Sequence, residues 1–266
     1  MKYKNSNLEF WEAVVPQHIK SDYYDVNGFL KGNSSLDEIE TGQLGNISGK
    51  TLLHLQCHFG LSTLSLARLG ANVTGIDFSS SAITEAKRLA KLSKIDATFV
   101  RTNVYDLSEN LQEKFDVVFS SFGVLCWLPD LNEWATQIAA CLNHGGTFHL
   151  IEFHPLMTAL TKNTANELIV ENSYFNEGVE VFQTQGSYAT ADAGIDERVY
   201  EWTHSLADVV TALLEAGLRL ESFQEYPFAT EGGFVGYLRV EDSGHWTPAN
   251  RKYKVPLTYS LRATKV

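Results

Sequence analysis

The sequence predicts an α/β fold, a mostly parallel sheet covered by helices on both faces, with a cap inserted after the fifth strand. Three observations carry it. Strand-length apolar segments at about 51–56, 72–77, 96–101, 115–120 and 147–153 alternate with helix-length segments at about 61–69, 80–92 and 130–142, the order that builds βαβ units. The runs at 115–119 and 148–153 are largely apolar, as strands buried on both faces must be. After Pro155 the character changes, and residues 156–203 carry few long apolar runs but many aromatics, among them Tyr174, Phe175, Phe182, Tyr188, Tyr200 and Trp202.

Taken in chain order, Ser6-Asn7-Leu8-Glu9 has the form of a capping box, so a helix should start there and bend or stop near Pro16. Phe10, Trp11, Val14, Val15 and Ile19 recur at helical spacing and should dock that helix on the main body. Ser35-Leu36-Asp37-Glu38 reads as a second capping box, for a helix closing near Gly45. Asp130, with Glu133 three residues on, starts the helix before the fifth strand. Beyond the cap come a helix at about 205–216 ending at Gly217, a strand near 218–226 and a last strand at about 256–264. The stretch 227–253, with Gly232-Gly233, Gly236, Gly244 and Pro248, reads as an irregular loop, either mobile or functional. The organisation expected is an N-terminal helical segment over the site (1–47), a core (48–155 and 204–266) and the cap (156–203).

Composition narrows the function classes. A chain of 266 residues with 44% hydrophobic content can bury a full core. A net charge of −11, with no basic run, repels phosphate backbones and anionic lipid, so nucleic acid and membrane are poor partners. Cys57, Cys126 and Cys141 are odd in number and show no zinc-like pairing, which disfavours a disulfide framework and a metal. With no signal-like segment and no run long enough to span a bilayer, a reducing cytoplasm is expected.

The chemistry-bearing residues lie where strands hand over to loops. Leu52-Leu53-His54-Leu55-Gln56-Cys57-His58-Phe59-Gly60 reads as a buried strand entering a loop that opens a helix, where backbone N–H groups can meet a ligand. Gly75-Ile76-Asp77-Phe78-Ser79 ends the next strand with an acid placed to accept from ribose hydroxyls, 21 positions after Gln56. Ser79 or Ser80 can cap the following helix. Further on stand Arg101-Thr102-Asn103-Val104-Tyr105-Asp106, Phe115-Asp116-Val117-Val118, Ser120-Ser121-Phe122-Gly123 and Asn143-His144-Gly145-Gly146.

In order and spacing these pieces resemble the class I S-adenosylmethionine-dependent methyltransferases, in particular their bacterial small-molecule branch, well over about 48–155 and loosely in the C-terminal strands. The resemblance implies a Rossmann-like, mostly parallel seven-stranded sheet and S-adenosyl-L-methionine as cofactor. It also implies cofactor contacts at Gln56, Cys57, His58, Gly60, Asp77, Phe78, Asn103, Val104, Ser120, Ser121 and Phe122. The family's loop reads Asp-x-Gly-x-Gly-x-Gly, whereas this chain keeps only Gly60 and has His54 for the acid. Either Gln56 and His58 reach the methionine carboxylate with their side chains, or the loop is re-aimed.

Trp127, just past a strand's carboxyl end, joins Tyr24, Tyr188 and Trp202 as expected substrate contacts, an aromatic cap core being the other reading of the last two. Trp134 reads as core and Asp116 as structural. Trp11, Tyr23 and Tyr24 belong to the segment that in relatives folds over the cofactor, where ring faces suit a sulfonium. An exposed Trp11 would also offer a homodimer contact. His154, closing the fifth strand, is placed either to take a proton from a substrate hydroxyl or amine, or to bond backbone at the cap junction. Methyl transfer from a sulfonium is an in-line substitution that mainly needs positioning and dryness, so a dyad is not required. The reading is a methyltransferase acting on a small molecule. A non-catalytic S-adenosylmethionine-binding protein and an NAD-dependent oxidoreductase are the alternatives, the last weakened because a pyrophosphate needs the missing glycines.

Overall fold

A computed structural model describes residues 2–165, 167–191, 193–232, 235–250 and 254–266, so Gly233 of the expected irregular loop lies outside the described residues. Three helices, α1 (Lys2–His18), α2 (Val26–Leu30) and α3 (Glu38–Leu44), precede the alternating core. The core runs β1 (Thr51–His54), α4 (Leu61–Arg68), β2 (Asn72–Asp77), α5 (Ser80–Ser93), β3 (Thr98–Arg101), α6 (Leu107–Asn110), β4 (Phe115–Ser121), α7 (Leu131–Cys141) and β5 (Leu142–Phe153). Then come α8 (Pro155–Ala159) and two antiparallel hairpins, β6 (Leu160–Lys162) with β7 (Leu168–Val170) and β8 (Val179–Gln183) with β9 (Arg198–Trp202). The chain finishes with α9 (Leu206–Glu215), β10 (Leu218–Tyr226), a hairpin of β11 (Leu238–Val240) and β12 (Trp246–Pro248), and β13 (Thr258–Lys265).

Seven strands form one sheet in the order β10-β13-β5-β4-β1-β2-β3. From β5 to β3 the pairs are parallel, while β13 is antiparallel to both its neighbours. The order of connection reverses between β1 and β4, and in open α/β sheets ligands settle outside the strand carboxyl ends at that point. On one face α7 and α9 pack Trp134, Ile138, Val209 and Leu213 on the sheet, with Trp134 fully buried edge-on to Phe148. On the other, α4 and α5 contribute Leu64, Ile83 and Leu89 around Phe99. Each such side chain contributes roughly 1.5–3 kcal/mol by leaving water. The sheet is therefore a rigid shelf whose β1, β2 and β4 ends carry the loops singled out above.

Several local expectations need correcting. α1 starts at Lys2, not Ser6, because the Ser6 hydroxyl donates to the Arg198 carbonyl of β9 instead of capping its own helix. Pro16 is inside α1. It lies in the last turn, where its missing N–H forfeits one bond, and the buried Val14 and Val15 hold the turn to the body. The cap of α3 is Asp37, whose carboxylate accepts from Glu40 N–H while Glu40 accepts from Asp37 N–H. Ser35 instead bonds Ser65. The stretch 227–253 is not irregular throughout, since it holds the β11–β12 hairpin. Trp11 is not an exposed dimer contact, for its ring packs edge-on to Phe10, His58 and Trp127.

Candidate active site

The β1 loop takes a left-handed backbone at the positions where the sequence lacks the expected glycines. Gln56, His58 and Gly60, at the three glycine positions, have φ of +48°, +51° and +81°. A side chain in that region costs roughly 1–2 kcal/mol, and here each side chain is anchored. Gln56 Nε2 donates to the Val124 carbonyl at 3.1 Å. His58 Nε2 lies 2.9 Å from His18 Nδ1, and His18 Nε2 lies 2.7 Å from Ser187 Oγ. Gly60 is obligatory twice over, by its φ and because a Cβ would sit 2.7 Å from the Phe99 ring. His54, in place of the family's acid, pairs with Thr63 Oγ1 at 2.8 Å, and burial pushes its imidazole down to about 3, so it is neutral. Cys57 is a small buried residue whose thiol burial pushes well up, not a nucleophile.

Asp77 closes β2 against this loop. Its Oδ2 accepts the His58 N–H and its Oδ1 the Ser79 N–H, both at 2.9 Å. A carboxylate has about four lone-pair sites, so acceptor capacity remains for a ligand. Burial raises the carboxyl to about 6, with the backbone bonds pulling the other way. Phe78 follows, half-buried on the cavity wall, and Ser79, not Ser80, caps α5. Asn103 uses its carbonyl oxygen on Tyr105 N–H, which fixes the turn that puts Val104 into the wall. The exit of β4 holds Ser121 and Phe122 in the wall, whereas Ser120 is fully buried in the sheet with no partner for its hydroxyl.

Glu152, on β5, organises the floor. Its carboxylate accepts N–H groups from Gly123, Val124, Leu125 and Phe153 at 2.5 to 3.2 Å. Burial raises this carboxyl and the four donors oppose the shift. Ser121 hydrogen-bonds Glu40, a buried acid of α3 pushed up to about 8 by burial and then by the charge of Asp37.

The roof comes from three distant segments. Asn7 exchanges two hydrogen bonds with the backbone of Tyr200, tying α1 to β9. Glu12 takes the N–H and hydroxyl groups of Ser80 and Ser81, tying α1 to α5. Burial pushes the Glu12 carboxyl up, but those four bonds prevail and hold it below its ordinary value. Tyr24 and Tyr188 join hydroxyl to hydroxyl. Beneath lies a cavity of about 1140 Å³, reached by Tyr24, Trp127, Tyr188 and Trp202 as well as by the cofactor-loop residues, Ser120 excepted.

His154 is the main correction. It caps α8, its Nδ1 accepting the Leu156 N–H at 3.1 Å, so its proton sits on Nε2 and is shared with Glu225 at 3.0 Å. Neither nitrogen is open to take a proton. Nor do the aromatics of 156–203 form a closed core, since Phe175, Phe182 and Tyr188 are exposed. Sequence reading missed His18, Glu12, Glu40 and Glu152. Glu152 stood in view beside His154, but the signal for its role, three loop N–H groups, exists only in the folded chain. Among the described residues no group of three His, Cys, Asp or Glu is disposed to hold a metal.

The arrangement fits a nucleoside bearing an amino acid. Asp77 retains acceptor capacity for a diol, the left-handed loop lines the cavity, and the Gln56 amide oxygen is buried without a partner among the described residues. Residues 53–148, spanning β1 to the middle of β5, match a family profile described as a methyltransferase domain. The ubiquinone biosynthesis O-methyltransferase of Escherichia coli (strain SMS-3-5) is 27% identical over 147 residues, 54% of this chain and 61% of that protein. The chain therefore covers less than two thirds of the length of such curated relatives. An S-adenosylmethionine-dependent methyltransferase structure from Mesorhizobium loti superposes with a TM-score of 0.63 at 17% identity, covering 88% of this chain and 99% of that one. One from Clostridium acetobutylicum gives 0.56 at 14%, covering 98% of each. At those identities the likeness is one of fold. The domain match on the sheet core and the curated relatives, together with this fold, identify residues 53–148 as a methyltransferase domain and support S-adenosylmethionine as the cofactor.

Proposed function

We propose that the protein transfers a methyl group from S-adenosylmethionine to a small molecule by in-line substitution. The observation that carries this is the β1 loop, whose left-handed positions at 56, 58 and 60 lead to Asp77 on the wall of the cavity. Asp77 would hold the ribose hydroxyls, Asn103, Val104 and Phe78 the adenine, and the Gln56–Gly60 backbone the amino-acid end. When bound, the cofactor supplies a methyl group that is already activated, so the protein's work is positioning and exclusion of water. The roof of α1, Tyr24, Tyr188 and β9 does the excluding, and the N-terminal segment (1–47) with the cap (156–203) would select the acceptor. A cavity of this size suits a small molecule beside a nucleoside. Curated relatives named as O-methyltransferases of ubiquinone biosynthesis support an acceptor of that scale. Three free cysteines agree with a cytoplasmic location, and no helix among the described residues is long and apolar enough to cross a membrane.

The test is calorimetry with S-adenosylmethionine, S-adenosylhomocysteine and NAD on the wild type and Asp77→Ala. The two sulfur nucleosides should bind in the micromolar range and NAD should not. Two hydrogen bonds to a charged acceptor are worth about 3–6 kcal/mol together, so Asp77→Ala should weaken binding more than about 100-fold. Tight NAD binding, or no nucleoside binding by folded protein, would overturn the reading.

A further inference from the structure

The cavity extends beyond the cofactor loops to residues of the β8–β9 hairpin and to Tyr259 of β13. Glu180 and Glu201 stand directly opposite each other in register on the hairpin, and both line the cavity. Like charges facing across an antiparallel pair are destabilising. Thr203 Oγ1 donates to Glu180 at 2.9 Å, whereas Glu201 has no hydrogen bond or ion pair among the described residues. Lys4 is the one lysine or arginine among the described residues lining the cavity, against eight carboxyl groups. The rings of Trp127, Phe182, Tyr188 and Trp202 share that lining.

A second observation is independent of charge. Tyr259 of β13 is 1% exposed, lines the same cavity, and its hydroxyl has no hydrogen-bond partner among the described residues. A phenol oxygen that faces a cavity without a protein partner can accept a hydrogen bond from a donor that a ligand supplies. This wall is built for a polar guest.

We propose that the cavity accepts its small-molecule substrate as a positively charged amine, held by Glu201 and Glu180 among the aromatic rings of the β8–β9 wall. The inference rests on the methyltransferase reading for its substrate role, and it adds the chemical class. An ammonium group supplies the counter-charge the acid pair lacks, and Phe182, on the same face of the hairpin, adds a ring that attracts cations. Burial, then the charge of Glu180, pushes the Glu201 carboxyl up to about 7, as expected of an acid left without a cation. His54, His58, His154 and His204 line the cavity too, and burial pushes each of them down, so none offers that charge. A carboxylate or phosphate guest would meet the acids head-on, which makes the wall a discriminator as well as a binder.

The experiment uses three matched probes: 2-phenylethylamine, 2-phenylethanol and 3-phenylpropanoate. Their affinities are measured by calorimetry at neutral pH, with and without S-adenosylhomocysteine. The amine should bind at least about tenfold tighter than the alcohol, and the carboxylate weakest of all. Glu201→Gln should weaken the amine at least about fivefold and leave the alcohol within about twofold. Because it relieves a like-charge pair, the same substitution should raise the melting temperature of the free protein, a shift that a loss of fold would reverse. Equal binding of the three probes, preference for the carboxylate, absence of measurable amine binding, or an amine affinity untouched by Glu201→Gln would each overturn the proposal. Failure of S-adenosylhomocysteine to bind would instead overturn the methyltransferase reading, and the amine preference is read in its absence as well.

Discussion

Replacing Glu40 with Gln should flatten a loss of stability that the wild type shows between about pH 6.5 and 8.5. Glu40 is 4% exposed, and burial followed by the charge of Asp37 raises its carboxyl from about 4.5 to about 8. A folded-state value above the unfolded one means that the folded protein holds a proton the unfolded chain has released. The contribution is full below the unfolded value and is lost as pH rises through the folded value. For such a group, passage from pH 6.5 to 8.5 removes about 2 kcal/mol, or a few degrees of melting temperature in a chain of this length. Glutamine is a clean replacement because it also serves the third position of a capping box, and so can still accept the Asp37 N–H. The assay is urea unfolding of both proteins at the two pH values. Glu201, raised to about 7, titrates in both, so the difference between them isolates Glu40. Parallel profiles agreeing within about 0.5 kcal/mol would mean that Glu40 is already ionised at the lower pH, and the reasoning would fail.

Three further substitutions probe the site. Glu152→Gln offers one acceptor oxygen and an opposing NH₂ to four backbone donors, so it should lower unfolding stability by about 2–5 kcal/mol; a loss under about 1 kcal/mol in urea titration would show that the loop has other support. Gly60→Ala meets both a φ of +81° and the Phe99 ring. It should cost more than about 2 kcal/mol and weaken nucleoside binding, and unchanged calorimetry would refute the tight loop. His154→Gln should leave turnover within about threefold, far short of the 100-fold loss that follows removal of a general base. A loss of that larger size, with a changed pH profile, would restore the base role.

Elements whose signals are local were legible before folding. β2 and α5, with Ser79 between them, appear where alternation, the cap and the helical period put them, because those signals depend on neighbours within a few residues. α1 was misplaced for the opposite reason. Ser6 satisfies its hydroxyl 192 residues away, on Arg198, and no local rule sees that. The β1 loop shows how a motif can be half read. The spacing to Asp77 pointed to a nucleoside site, but the lost glycines pointed towards altered geometry. Only the anchors at Val124 and His18 explain how Gln56 and His58 tolerate the glycine backbone. The role of His154 turned on which nitrogen is occupied, a matter of α8 starting immediately after it.

The bonds between Asn7 and Tyr200 join residues 193 positions apart. During synthesis at about 5–20 residues per second, α1 leaves the ribosome roughly 10–40 s before β9 exists to receive it. For that interval Phe10, whose contacts include Trp127, and the side chains of α1 that face β9 lack their final partners. The β1-to-β5 sheet can condense first from nearer contacts, leaving the roof as the last piece to settle. A nascent chain is then open where the finished protein carries its roof, and the cavity is covered only when the first helix finds one of the last hairpins.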